Sequence, residues 1–273
     1  MTWIKICGIT NLDDALAAID AGANALGFVF YPKSPRHVTL ETANSIMAKL
    51  PQSMEMEKVG VFVNETVDRV RDVVKQVGLT AVQLHGDEST EFSRALFLEL
   101  INQELANGSA RPMIFRTWPA KIFDAPAEQT VGWDPVAAGL VEPDEAYKGK
   151  RVHKIHVAKN GDLFLETHGF RPGVISGVLL DSSNLDSSND ERRGGTGQAF
   201  DWERVQPWAG IINSISKLIV AGGLRPGNVQ EAIHLLHPWG VDVSSGVERE
   251  PGKKDPRKIR AFVQAVRAME EAS

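Results

Sequence analysis

The chain has one cysteine, no long hydrophobic run and no excess of basic residues, and each of these absences excludes a class of protein. The single cysteine, Cys7, excludes an internal disulfide framework and is typical of a reducing compartment. No stretch approaches the about 18 apolar residues that a membrane-spanning helix needs, and the first residues lack the pattern of a signal peptide. The formal net charge of -5, with both signs interspersed, offers no basic surface to nucleic acid or membranes. We therefore expect a cytoplasmic protein without nucleic-acid or membrane partners.

The sequence instead contains a repeated unit, in which a short apolar run precedes a segment with the apolar periodicity of a helix. The clear runs are "WIKICG" (3–8), "ALGFVF" (25–30), "KVGVFV" (58–63), "AVQLHG" (81–86), "GVLLDS" (177–182), "KLIVAGG" (217–223) and "GVDVSSG" (240–246). Strands with two apolar faces, each followed by a helix, indicate a parallel sheet. The glycine fingerprint of a doubly wound sheet is missing after the first run. The pattern predicts an α/β protein, a single (β/α)8 barrel domain over residues 1–273.

The fifth unit is obscure, because prolines interrupt residues 111–176 and no long helical face appears there. Two segments are equal candidates for strand five, "MIFRTW" (113–118) and "RVHKIHV" (151–157). An Asn-Gly pair at 160–161 predicts a hairpin that returns through "LFLET" (163–167). We therefore expect an irregular insertion over 111–176 that includes strand five, with helix five reduced or replaced.

Small residues follow the seventh and eighth strands, where barrels of this type usually bind phosphate. They are Gly222, Gly223, Ser244, Ser245 and Gly246. Backbone N–H groups of such residues can approach an anion closely, and a helix opening after each strand would add the positive end of its dipole. The sequence thus predicts a small phosphorylated substrate.

Nine motifs, in their order and spacing, closely resemble the phosphoribosylanthranilate isomerase family. They are "KICGIT" (5–10), "GFVFYPKSPR" (27–36), "VGVFVN" (59–64), "QLHGDE" (83–88), "LLDS" (179–182), "GGTG" (194–197), "AGGL" (221–224), "VDVSSGVE" (241–248) and "PGKKD" (251–255). The resemblance covers residues 3–110 and 177–268, and the chain departs from the family over 111–176.

This resemblance implies an isomerase of tryptophan biosynthesis that performs an Amadori rearrangement. The reaction opens a ribofuranosylamine ring, forms a Schiff base and removes the C2' proton, so it needs one acid and one base. The resemblance gives the base to Cys7 and the acid to Asp181. A thiol that acts as a base needs nearby dipoles or cations to stabilise its thiolate.

The resemblance also implies a set of substrate contacts. Arg36 holds the anthranilate carboxylate, since a guanidinium fork suits a planar carboxylate. His85 lines the site, and Gly195 lies in a flexible loop that closes over the substrate. No cofactor is implied because no step is a redox step, and no group of Cys, His and carboxylate residues has metal-ligand spacing. The expected assembly is a monomer or a homodimer.

Two other functions remain open for a barrel with these features. A histidine-pathway sugar isomerase of similar fold would place carboxylates at both the acid and the base position, and Cys7 speaks against it. A barrel that only binds a phosphorylated metabolite is disfavoured by the presence of Cys7, Asp181 and Arg36 together.

Overall fold

A computed structural model describes most of the chain, namely residues 1–51, 56–107, 112–119, 141–143, 153–157, 163–167, 170–172, 175–182 and 199–271. The strands are, in chain order, β1 (Trp3–Cys7), β2 (Ala25–Val29), β3 (Glu57–Phe62), β4 (Ala81–Leu84), β5 (Met113–Pro119), β6 (Val141–Pro143), β7 (His153–Val157), β8 (Leu163–Thr167), β9 (Phe170–Pro172), β10 (Gly177–Asp181), β11 (Lys217–Val220), β12 (Gly240–Val243), β13 (Glu248–Glu250) and β14 (Lys253–Lys254). The α-helices are α1 (Leu12–Asp20), α2 (Leu40–Met47), α3 (Val67–Val77), α4 (Thr90–Asn107), α5 (Trp202–Ile215), α6 (Val229–Leu236) and α7 (Pro256–Glu271). Within these described ranges, no helix combines the length and the hydropathy needed to cross a membrane.

Eight of the strands form a closed parallel barrel in the order β1-β12-β11-β10-β5-β4-β3-β2. The pairing of β1 with β2 completes the closure. Helices follow each barrel strand except β5 in the described part of the chain. The (β/α)8 fold that the sequence predicts is therefore confirmed.

Side-chain caps set where several helices begin. The side chain of Asn11 accepts the backbone N–H of Asp14 at 2.9 Å and starts α1, and Thr39 and Thr66 cap α2 and α3 in the same way. Each such cap contributes about 1 kcal/mol. Burial of one apolar face then fixes each helix on the barrel, as in α3, whose buried residues are Val70, Val73, Val74 and Val77.

Strand five is the first of its two candidate segments. β5 pairs with β4 on one side and with β10 on the other, with Met113 beside Ala81 and Phe115 beside Gly177. The alternative, residues 151–157, is wrong as a barrel strand, because β7 pairs with β8 in a separate antiparallel sheet.

The hairpin expected after residue 157 is confirmed as a strand pair, since β7 and β8 lie antiparallel, with Val157 beside Leu163. Its Asn-Gly turn at 160–161 lies outside the described residues. Between β5 and β10 the described residues form strands only, in two small sheets that pair β6 with β9 and β7 with β8. The expectation that helix five is reduced or replaced stays a prediction, because most of residues 111–176 lies outside the described residues.

The interior of the barrel changes from apolar to polar along its axis. One buried cluster inside the barrel is apolar and consists of Trp3, Ala25, Val59, Ala81, Phe115, Leu179, Ile219 and Ala221. Side chains alternate along a strand, so Lys5 and then Cys7 follow Trp3 on the inner face of β1. Lys5 is buried together with Gln83, Thr117 and Asp242 from other strands. This polar layer lies directly beneath the strand ends that form the site.

Candidate active site

A cavity opens at the C-terminal ends of the barrel strands. Eight of the ten residues predicted for the site line it: Cys7, Arg36, His85, Asp181, Gly222, Gly223, Ser244 and Ser245. Gly246 directly follows this set in the loop after β12, and Gly195 lies outside the described residues. The part of the chain that the structure describes holds no group of three or more His, Cys, Asp and Glu side chains suited to a metal ion.

Cys7 is the last residue of β1 and is 8% exposed. Burial raises the pKa of the Cys7 thiol, and the positive charges of Lys5 and Lys254 offset only part of that rise. The cations expected around a working thiol are therefore present. They do not bring the pKa of Cys7 below its ordinary value, so the thiol form dominates at neutral pH.

Lys5 is a buried cation, and its charge is neutralised by a buried carboxylate. Its Nζ lies 2.9 Å from Asp242 Oδ2 and donates to Gln83 Oε1 at 2.7 Å. Burial alone would lower the pKa of Lys5, but the negative charge of Asp242, together with that of Cys7 when it is a thiolate, outweighs burial and raises that pKa. The other carboxylate oxygen, Asp242 Oδ1, is buried and has no hydrogen-bond partner among the described residues. Asp242 is also one of the residues that line the cavity.

Asp181 ends β10 and faces His85, which directly follows β4. His85 Nε2 lies 3.7 Å from Asp181 Oδ2, longer than a hydrogen bond. The other ring nitrogen, Nδ1, lies 2.9 Å from Thr117 Oγ1 and 3.1 Å from Gln83 Nε2. One side of the imidazole thus faces the carboxyl group, and the other side is held by the buried polar layer.

Arg36 enters the cavity from the loop after β2 and is clamped by Glu248. Its Nε and Nη2 each donate to a carboxylate oxygen of Glu248 at 2.8 Å, and Lys254 Nζ contacts the same carboxylate at 2.8 Å. Burial would raise the pKa of Glu248, but Arg36 and Lys254 outweigh it and lower that pKa. A ligand carboxylate therefore has to approach the opposite edge of the guanidinium, formed by Nη1 and the second N–H of Nη2.

Glycine at position 8 makes this placement of Arg36 possible. Gly8 has a φ of 79°, and a Cβ there would lie 2.6 Å from Arg36 Cδ. Any other residue would strain the backbone and displace the arginine stem.

Two glycines and the side chain of Asn228 fix the conformation of the loop after β11. Gly222 and Gly223 adopt left-handed conformations with φ of 72° and 68°. Asn228 Oδ1 accepts a hydrogen bond from the backbone N–H of Arg225 at 2.8 Å, and Asn228 Nδ2 donates one to the carbonyl oxygen of Gly223 at 3.0 Å. The loop is thereby fixed before α6 begins.

The loop after β12 contains a short turn and a hairpin before the next α-helix. A three-residue 3-10 turn, Ser245–Val247, follows the strand directly. The hairpin of β13 and β14 comes next, and the α-helix that follows begins at Pro256, a proline in a first helical position. Gly246 brings the two loops together, since a Cβ at this position would overlap the carbonyl oxygen of Leu224.

Sequence reasoning missed five charged or polar residues of the site: Lys5, Gln83, Asp242, Glu248 and Lys254. The first three carried a signal, because a polar residue at an inward position of an otherwise apolar strand is uncommon. The pairing of Glu248 with Arg36 carried none, because the two residues are 212 positions apart.

Comparison with known proteins places this site in a family. The sequence profile described as "N-(5'phosphoribosyl)anthranilate (PRA) isomerase" matches residues 4–110 and 142–265. The N-(5'-phosphoribosyl)anthranilate isomerase of Thermotoga neapolitana is 36% identical over 269 residues, covering 98% of this chain and all of that protein (100%). The isomerase of Myxococcus xanthus is 35% identical over 266 residues, covering 97% of this chain and 96% of that protein. The profile leaves out residues 111–141, which lie within the predicted insertion.

Solved structures agree with the sequence matches. The phosphoribosylanthranilate isomerase of Thermotoga maritima is 33% identical, with a TM-score of 0.67, and the match covers 98% of this chain and 100% of that one. A phosphoribosylanthranilate isomerase in complex with reduced 1-(o-carboxyphenylamino)-1-deoxyribulose 5-phosphate is 32% identical, with a TM-score of 0.64 and the same coverage, 98% and 100%. The chain belongs to the N-(5'-phosphoribosyl)anthranilate isomerase family.

Proposed function

We infer that this chain converts N-(5-phosphoribosyl)anthranilate to 1-(2-carboxyphenylamino)-1-deoxyribulose 5-phosphate, an Amadori rearrangement of tryptophan biosynthesis. The observation that carries this inference is the meeting of a thiol, a carboxyl group, an arginine and two small-residue loops in one cavity. The family membership gives the same reaction. A purely binding barrel would not need an acid and a base on separate strands of the same mouth.

We propose that Asp181 is the general acid and Cys7 the general base. Asp181 protonates the ring oxygen, the bond from C1' to that oxygen breaks, and the anthranilate nitrogen forms the Schiff base. Cys7 as thiolate then removes the C2' proton, and the electron pair moves toward the nitrogen to give an enolamine. Protonation at C1' and loss of the enol proton yield the ketone, so the isomerisation consumes and releases no net proton.

The substrate phosphate is assigned to the loops after β11 and β12. Gly222, Gly223 and Ser245 line the cavity and have little side chain to obstruct an anion bound by their backbone N–H groups, and Gly246 follows Ser245 in the same loop. The left-handed conformations at Gly222 and Gly223, which the Asn228 hydrogen bond to the Gly223 carbonyl fixes, support this assignment.

Arg36→Met should weaken binding of the aromatic part of the substrate. A charge-assisted pair with a carboxylate contributes about 1.5 to 3 kcal/mol, so we expect the Kd of an anthranilate-bearing analogue to rise by a factor of about 10 to 100. Calorimetry with that analogue and with ribulose 5-phosphate measures the effect, and Arg260→Met, which changes an exposed arginine on α7, is the matched control. An equal loss of affinity for ribulose 5-phosphate would contradict a role specific to the carboxylate.

A turnover assay tests the proposed activity itself. The purified protein is incubated with N-(5-phosphoribosyl)anthranilate, and the loss of anthranilate-type fluorescence is followed. We expect enzyme-dependent loss together with formation of the aminodeoxyribulose phosphate. Folded protein that binds the substrate without converting it would favour the binding barrel instead.

Assembly, location and domain organisation are also proposals. We propose a monomer or a homodimer. A structure 32% identical to this chain contains monomers generated from an isomerase of Thermotoga maritima that is called dimeric, and the dimeric state of that enzyme supports the second. The single cysteine supports a cytoplasmic location. The continuous barrel supports one domain with an insertion after strand five.

A further inference from the structure

We propose that Lys5 positions both reacting groups of the site, the thiol of Cys7 and the carboxyl group of Asp181. It acts on the thiol directly, and it acts on the carboxyl group through Gln83 and His85. This inference rests on the proposed roles of Cys7 as base and Asp181 as acid.

Lys5 and Cys7 are close to each other because they share one strand face. Both side chains lie on the inner face of β1, two residues apart, and Gly27 of β2 stands beside Cys7 in the sheet register. A Cβ at position 27 would lie 2.8 Å from Cys7 Sγ and 2.9 Å from Lys5 Cε. The thiol and the lysine stem therefore share the space that the missing side chain of Gly27 leaves.

Four charged groups act on the thiol, and Lys5 exerts the strongest attraction on a thiolate. The others are Asp242 on β12, Lys254 on β14 and Arg36 in the loop after β2. All three cations are paired with carboxylates, Lys5 with Asp242 and the other two with Glu248, so pairing does not distinguish them. Lys5 is the cation that lies on the same face of β1 as Cys7, and its charge opposes the rise in the pKa of Cys7 more than that of Lys254 does.

The contact between Lys5 and Gln83 fixes the amide orientation. The ammonium is a donor only, so the Gln83 atom 2.7 Å from it must be the carbonyl oxygen. The amide nitrogen then points the other way and donates toward His85 Nδ1 at 3.1 Å.

A ring nitrogen that accepts a hydrogen bond carries no proton. His85 is therefore neutral in this arrangement, with its proton on Nε2. Thr117 agrees with this tautomer, because its hydroxyl accepts from Gln83 at 3.3 Å and can donate to His85 Nδ1 at 2.9 Å.

The Nε2–H group faces the acid. It is 3.7 Å from Asp181 Oδ2, so a shift of less than about 1 Å would bring it into hydrogen-bond range. When Asp181 gives its proton to the sugar, this N–H group can stabilise the carboxylate that forms. Lys5 thus favours the thiolate form of Cys7. It also orients His85, whose Nε2–H group can donate to the Asp181 carboxylate after Asp181 has given up its proton.

Alkylation of Cys7 tests the direct contact, and the chain contains no other cysteine that could react. Removing a charge within about 4 to 6 Å shifts a pKa by about 1 to 3 units. In Lys5→Met we therefore expect the pKa of Cys7 to rise further and the iodoacetamide rate at pH 8 to fall by at least about tenfold. The control is Lys217→Met. Lys217 is the first residue of β11, and its ammonium group lies over the Trp239 ring, so we expect this variant to leave the rate unchanged. A rate within twofold of the parent in folded Lys5→Met would overturn this half of the proposal.

The tautomer of His85 tests the indirect contact in the unchanged protein. We expect ¹⁵N chemical shifts near neutral pH to show protonated Nε2 and unprotonated Nδ1, with His85→Gln providing the assignment. Gln83→Met should convert this single tautomer to a mixture. A proton on Nδ1 in the parent protein, or an unchanged tautomer in Gln83→Met, would overturn this half.

Both readouts are independent of turnover. If the protein proves inactive on the proposed substrate, the alkylation rate and the tautomer still decide whether Lys5 acts as described. If the protein is active but neither readout changes, Lys5 is only structural.

Discussion

Cys7→Ala should lower kcat by at least about 10²-fold and leave binding of the reduced product analogue nearly unchanged. A proton-transfer group contributes about 10² to 10⁴ in rate, and alanine cannot accept the C2' proton. Steady-state kinetics with the substrate measure the first effect, and calorimetry with the analogue measures the second.

Cys7→Ser is the matched variant, because it keeps nearly the same volume and a polar atom but replaces the acidic thiol with a hydroxyl that hardly ionises. We expect it to be as inactive as Cys7→Ala. The parent enzyme should show kcat/KM increasing above neutral pH, because burial raises the pKa of Cys7 and only the thiolate acts as a base. Turnover within a few fold of the parent in either variant would exclude Cys7 as the base.

Asp181→Asn should likewise reduce kcat by about 10² or more while the melting temperature remains close to that of the parent. Asparagine keeps the shape of the side chain and can still contact His85, but it has no proton to give to the ring oxygen. Kinetics and thermal unfolding of the same preparation are the two measurements required.

Asp201→Asn is a suitable control for the same chemical change, because Asp201 caps α5 and asparagine caps a helix equally well. It should alter neither kcat nor stability. If Asp181→Asn unfolds, or if it turns over at the parent rate, Asp181 is not the acid.

The sequence predicted most of the fold because seven barrel strands carry buried apolar runs that precede helical patterns. It did not separate the two candidates for strand five, since residues 113–118 and 151–157 have equivalent local patterns. Hydrogen bonding between distant strands distinguishes the two segments. Residues 113–119 pair in register with β4 on one side and with β10 on the other. Such long-range pairing is not encoded in a short window.

Motifs placed the proposed acid, base and small-residue loops correctly in the cavity, because each stands at the end of a barrel strand. The buried polar layer was missed although the alternation along β1 puts Lys5 on the same face as Cys7. The strand was interpreted as apolar on both faces, although it contains Lys5, whose residue is only 1% exposed. The clamp of Glu248 on Arg36 joins distant parts of the chain and depends on the hairpin after β12, which no local pattern indicates.

A crystal structure with reduced 1-(o-carboxyphenylamino)-1-deoxyribulose 5-phosphate tests the division of roles most directly. We expect C2' within about 3.5 Å of Cys7 Sγ, and the hydroxyl derived from the ring oxygen facing Asp181. The phosphate should lie within hydrogen-bond reach of the backbone N–H groups near Gly223 and Ser245. An analogue whose phosphate lies elsewhere in the protein, with C2' remote from Cys7, would contradict the proposed mechanism.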